Sequence, residues 1–182
     1  MKEVRRVAEL IASVDHGDPW HGSSTRGVLE GVTARDAAER PIPNAHTIWE
    51  IVLHMTAWTR EVRRRAIGGA PGMPEEGDWP EAPGTSGPAG SDGAAQRQGP
   101  TPVPNEGAWA SCIADLAAAH AALVAALEGF PGAKLDETVG LRRDLATGTG
   151  TTYGAMLYGI ALHDAYHSGQ IALLKKAIAQ RA

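Results

Sequence analysis

The chain is poor in cysteine and in aromatic side chains. One of its 182 residues, Cys112, is a cysteine, so no disulfide can close within the chain and a reducing compartment suits it. No basic residue flanks Cys112 to lower its thiol pKa, so it reads as a small core residue. Aromatic residues make up 5% of the sequence, and five of them are tryptophan. Tryptophan joins a large apolar face to an N–H donor and serves pocket walls as well as cores. An excess of basic charge is also missing. The net charge is -4 and the pI near 6.0, which argues against nucleic acid as a partner. No unbroken apolar run reaches about 18 residues, so no membrane span is expected. The opening Met1-Lys2-Glu3-Val4-Arg5-Arg6 lacks the apolar stretch of a secretory signal. These absences together imply a cytoplasmic protein. Cys-x-x-Cys, a Gly-rich phosphate loop and Gly-x-Ser-x-Gly are absent too, which removes the redox, nucleotide and hydrolase motifs built on them.

What the sequence does have is helical periodicity. Val4, Val7, Ile11 and Val14 recur at spacings of three and four and predict a first helix. Short helices are expected from Ser24 to Glu30 and after Thr33, where Thr33 and Asp36 form a capping-box pair. Thr47 and Glu50 form a full capping box for a second long helix, with Ile48, Ile51, Met55, Trp58 and Val62 as its buried stripe. Arg60, Arg63, Arg64 and Arg65 suit its C-terminal end, where the helix dipole favours cations. A third long helix follows Asn105 and runs to about Glu128. Residues 133–150 read as irregular, with a short extended piece around Thr138 to Leu145. The last helix spans about Thr152 to Ala179, with Met156, Ile160, His163, His167, Gln170 and Leu174 on one stripe. From residue 70 to 104, Pro, Gly, Ser and Ala dominate and the periodicity vanishes. That stretch predicts a long flexible loop in which Trp79 is the one large anchor. The expected architecture is all-α: a four-helix bundle in a single domain over residues 1–182, with this loop between the second and third long helices.

The most informative residues lie on the last helix, in His163-Asp164-Ala165-Tyr166-His167-Ser168-Gly169-Gln170. Histidines four apart sit one helical turn apart on one face and can bind a single metal ion. A lone core histidine is usually satisfied by a carbonyl or a carboxylate; two on one buried face are harder to satisfy that way. His54, on the second long helix, supplies a third imidazole from a facing element, and bundles build metal sites from such inward side chains. Three imidazoles leave coordination positions open, as in a reactive rather than a sealed site. Asp164, Tyr166 and Gln170 supply polar groups that can orient the ligands or a bound molecule. Trp20, Trp49 and Trp58 are candidate pocket walls, and His21 a candidate at the pocket mouth. His46 is expected to be exposed just outside the helix cap. His120 reads as a structural histidine or a partner of the ligands. Asp164 stands where a zincin has its catalytic glutamate, so the protease reading lacks its base.

His54 within Ile48-Trp49-Glu50-Ile51-Val52-Leu53-His54, together with His163-Asp164-Ala165-Tyr166-His167-Ser168-Gly169-Gln170-Ile171, resembles the DinB-like family of metal-dependent enzymes. The resemblance covers most of the chain outside residues 70–104. It implies a four-helix bundle with one metal ion on three histidines, which map to His54, His163 and His167. It also implies pairing as a homodimer and, in some relatives, use of a low-molecular-weight thiol.

Two functions follow as expectations. The first is a metal-dependent enzyme with zinc or nickel, acting on a small molecule as a hydrolase or a thiol-dependent S-transferase. The alternative is a non-catalytic, stress-related protein that binds metal or a small ligand.

Overall fold

A computed structural model of the chain describes residues 2–82 and 105–181. The architecture is all-α. The helices are α1 (Lys2–His16), α2 (Thr25–Leu29), α3 (Ala34–Ala38), α4 (Ile48–Ala66), α5 (Glu106–Glu128) and α6 (Tyr153–Ala179). α4, α5 and α6 start where side chains can satisfy their free N–H groups. The Thr47 hydroxyl accepts from Glu50 N while the Glu50 carboxylate accepts from Thr47 N, which closes the capping box of α4. Thr33 and Asp36 do the same for α3, and Asn105 and Thr152 cap α5 and α6.

α1 and α4 each pack against both α5 and α6, so the four long helices surround a shared interior. The interior holds two apolar clusters. One gathers Trp49, Met55, Trp109, Leu116, Ile171 and Leu174; the other gathers Val7, Ile11, Val62, Leu123, Leu157 and Ile160. Burying each such side chain contributes about 1.5–3 kcal/mol. A buried polar layer separates the clusters. Along α5, His120 lies between Leu116 and Leu123; along α6, Asp164, His167 and Ser168 lie between Ile160 and Ile171. Thr25 joins this layer from α2 through a 2.9 Å hydroxyl–hydroxyl bond to Ser168.

Three expectations change against the structure. The extended piece at Thr138–Leu145 reduces to a 3-10 turn at Gly132–Asp136 and two single bridges, Thr138 to Thr152 and Asp144 to Thr149. Gly150 makes this fold-back possible. It has φ +74, and a Cβ there would lie 2.5 Å from the Arg143 backbone. Second, among the described residues α5 is long and apolar enough by composition to cross a membrane, with mean hydropathy 1.7 over its best window. Alanines produce that value without an unbroken apolar run, and the inward face of α5 is spent on the bundle core. Third, residues 70–82 carry no helix or strand, as expected, yet they are docked. Buried Arg65 donates to Gly72 O (2.7 Å) and Thr147 O (2.8 Å), while buried Glu61 accepts from Gly72 N. Residues 83–104 of the expected loop lie outside the described residues.

Candidate metal centre

α4 and α6 bring three imidazoles to one point. His54 sits inside α4, two turns from its cap; His163 and His167 sit one turn apart on α6. Their ligand atoms all lie within 4.8 Å of one another, and Nε2 of His54 is 2.9 Å from Nε2 of His163. His54 and His167 are buried, and His163 is partly open.

The outward nitrogens decide what the inward ones can do. Nδ1 of His54 donates to the backbone carbonyl of Asp78 at 2.5 Å. Nδ1 of His167 donates to Oε1 of Gln170 at 2.6 Å, and Nδ1 of His163 faces Oδ1 of Asp164 at 3.3 Å. A neutral imidazole has one N–H. With each N–H assigned to Nδ1 by its acceptor, each Nε2 presents a lone pair to the centre. Nε2 of His54 and Nε2 of His163 are 2.9 Å apart, close enough to share a proton in one tautomer or to hold a cation between two lone pairs in the other. Burial pushes the His54 pKa below its ordinary value, and burial plus the neighbouring His163 holds His167 down at about 4. The donor set therefore fits a divalent metal ion that prefers nitrogen ligands.

A strap from residues 70–82 covers the cluster. The Trp79 ring stacks on His54 at 3.9 Å between centroids and on His46 at 3.5 Å, so it lies between two imidazoles. His46 is thus half-buried against Trp79 rather than free in solvent. Asp78 is held by Trp58, whose Nε1 donates to Oδ1 at 2.7 Å. A cavity of about 340 Å³ opens beside the cluster, walled by Ile42, Ile51, Trp79, Tyr166, His167 and Leu174 among others.

The other residues singled out from the sequence divide. Gln170 and Asp164 engage histidines of the cluster, and Tyr166 stands exposed at the cavity rim. Trp58 reaches the site through Asp78 rather than as a bare wall. Trp20 is a correction: it is fully exposed and borders a surface hollow with Asp18, Pro19, Gly22 and Ser23. His21, in the same turn, is exposed and lines no part of the cavity beside the cluster. Trp49 is a correction too. It is buried in the apolar core against Trp109, with ring centroids 5.2 Å apart, because its place on α4 faces α5. Sequence reasoning missed Asp78 and the double stack of Trp79. A lone tryptophan in a Pro/Gly-rich stretch was the available signal.

His120 completes the picture from behind. Its Nε2 donates to Oδ2 of Asp164 at 2.8 Å, and its Nδ1 lies 3.2 Å from Oδ1 of Asp15, close enough for an ion pair but poorly aligned for a hydrogen bond. Burial alone would lower its pKa, but the two carboxylates outweigh burial and raise it to about 9. Asp164 itself is pulled below the ordinary carboxylate range. Burial opposes that shift, and the hydrogen bonds from His120 and His163 overcome it.

Comparison with curated proteins and with solved structures finds no match. The family model of the DinB superfamily matches residues 20–171, which hold every residue of the cluster, and the chain belongs to that superfamily.

Proposed function

We propose that the protein is a metal-dependent enzyme that holds one divalent ion on His54, His163 and His167 and acts on a small molecule. The observation that carries this reading is the convergence of three imidazoles, with ligand atoms within 4.8 Å of one another and Nδ1 sides that face acceptors. When bound, a divalent ion on neutral imidazoles lowers the pKa of a water or holds a thiolate, which supports hydrolysis or thiol-dependent transfer. Zinc and nickel both suit the ligands. Any thiol must come from outside the chain, because burial, with a smaller effect of Asp115, pushes the Cys112 thiol up to about 12. A reducing cytoplasm suits this lone buried thiol. Among the described residues, the lining of the cavity beside His167 holds no Asp, Glu, Lys or Arg, which favours an uncharged, largely apolar substrate. Leu162, Tyr166 and Leu173 leave an exposed apolar face on α6, the side we assign to a homodimer.

A second reading, a binding protein without turnover, is favoured by one observation. Among the described residues, the carboxylates that touch the cluster each accept a hydrogen bond, Asp78 from Trp58 and Asp164 from His120, which weakens them as general bases.

Metal analysis of protein purified without a histidine tag tests the metal. The reading requires close to one divalent ion per chain, lost in His163→Ala and His167→Ala. Full occupancy in both variants would end it. Turnover of neutral esters, or of neutral electrophiles with added thiol, separates the two functions: metal-dependent turnover selects the enzyme, and stoichiometric metal without turnover selects the binding protein.

A further inference from the structure

Three charged side chains lie almost wholly out of water behind the cluster: Asp15 on α1, His120 on α5 and Asp164 on α6, with side-chain exposures of 3%, 2% and 2%. Packing does not call for them. The positions one turn away on the same helices are filled by Leu116, Leu123 and Ile160, and well-packed apolar groups often serve a core at least as well as buried ions. Their arrangement is directional. Asp164 turns one oxygen to Nδ1 of His163 (3.3 Å) and the other to Nε2 of His120 (2.8 Å). His120 turns its far nitrogen to Asp15 (3.2 Å). Asp15 in turn takes Nη2 of Arg26 at 2.8 Å and Nδ1 of His16 at 2.9 Å, both at the surface. Imidazole and carboxylate thus alternate from the histidine cluster to the half-exposed His16 and Arg26.

We propose that His120 and Asp15 are positioning residues for the three-histidine cluster: His120, gripped between Asp15 and Asp164, fixes the Asp164 carboxylate against Nδ1 of His163 and so aims Nε2 of His163 at His54 and His167. The proposal rests on the metal reading above for its function but on this geometry for its argument. Asp164 neighbours His163 on the same helix, and its 3.3 Å contact alone leaves the carboxylate free to turn. The bond from His120 removes that freedom. Asp15 restrains the His120 ring as an ion-pair partner 3.2 Å away rather than by an aligned hydrogen bond, and the two carboxylates together favour the protonated ring. Partners of metal-bound histidines commonly change metal affinity about 10- to 100-fold.

The test measures zinc affinity by competition with a chromophoric chelator, alongside the ¹⁵N spectrum of the histidine rings. His120→Leu should weaken zinc binding about 10- to 100-fold and turn the single Nδ1–H form of His163 into a mixture of tautomers. His120→Gln, which keeps a donor for Asp164, should recover most of the affinity. Asp15→Asn should weaken binding in the same direction by less. Leu123→Ala, one turn along α5 and outside the chain of contacts, should lower the melting temperature and leave affinity and tautomer unchanged. The proposal is overturned if His120→Leu or, should that variant not fold, Asp15→Asn binds zinc like the wild type with His163 in one tautomer. It is equally overturned if Leu123→Ala loses as much affinity. If the wild type binds no zinc, the metal reading fails, while the His163 tautomer in the metal-free protein still decides the positioning role.

Discussion

His54 and His167 on one side of the buried layer, and His120 on the other, are the same residue type at similar depth with opposite protonation. Burial lowers His54 and His167, and their imidazole neighbours add to the effect. Burial acts on His120 as well, but two carboxylates reverse it and raise its pKa to about 9. The difference lies in the partners and not in the depth. A buried imidazole among imidazoles is a neutral donor of lone pairs; between carboxylates it is a cation. Asp164 touches both kinds, with one oxygen on each side.

The strongest way to break the contrast is to remove a lone-pair donor. His167→Ala should abolish stoichiometric metal, because two remaining imidazoles make a poor site; unchanged metal content after dialysis would refute it. Next in size is removal of the cation. His120→Leu leaves Asp15 and Asp164 buried without their shared partner, and breaking a buried pair destabilises by about 3–5 kcal/mol. Urea unfolding measures this, and a loss below about 1 kcal/mol would show that the carboxylates find other partners.

The contrast also predicts the pH profile of the metal-free protein. His120 has a raised folded pKa, so its contribution is fully present below about 6.5 and is lost as pH rises through about 9. His167 has a lowered one, so its contribution is present above about 6.5 and is lost as pH falls toward about 4. The lowered pKa values of Asp15 and Asp164 add to the acid loss below about 4. Stability should therefore peak near pH 6.5 and fall on both sides. Equal urea midpoints at pH 6.5 and 9.5 would contradict the charged state of His120. The smallest effect concerns the cover. Trp79→Ala removes two ring stacks, each worth about 0.5–1.5 kcal/mol, and should speed metal removal by chelator several-fold. An unchanged stripping rate would show that the strap does not guard the cluster.

The helices and the three clustered histidines were legible because their signals are local. Thr47 and Glu50 stand three apart, His163 and His167 four apart, and the apolar stripes repeat within one element. His120, Asp164 and Trp79 were singled out by their types and places, but how they connect, and the parts of Asp15 and Asp78, were not legible. Asp78 and Trp79 meet His54 through loop geometry that has no period, and Asp15, His120 and Asp164 come from three helices far apart in sequence. Composition misled where it was read as environment. Trp20 and Trp49 are equally large and aromatic, yet one is in solvent and the other in the core, because only Trp49 sits on an inward helical face.

The stacking of Trp79 between two imidazoles has an optical consequence. An indole in face-to-face contact with His46 and His54 is open to excited-state quenching by either ring, and the strength of that quenching changes when a ring gains charge or a ligand. Of the other tryptophans, Trp49 and Trp109 are sealed in the core, Trp20 emits from water, and Trp58 is tied to Asp78. With Trp20 replaced by phenylalanine to remove the solvent background, the emission of this protein becomes a built-in, label-free gauge of what occupies the space beneath Trp79.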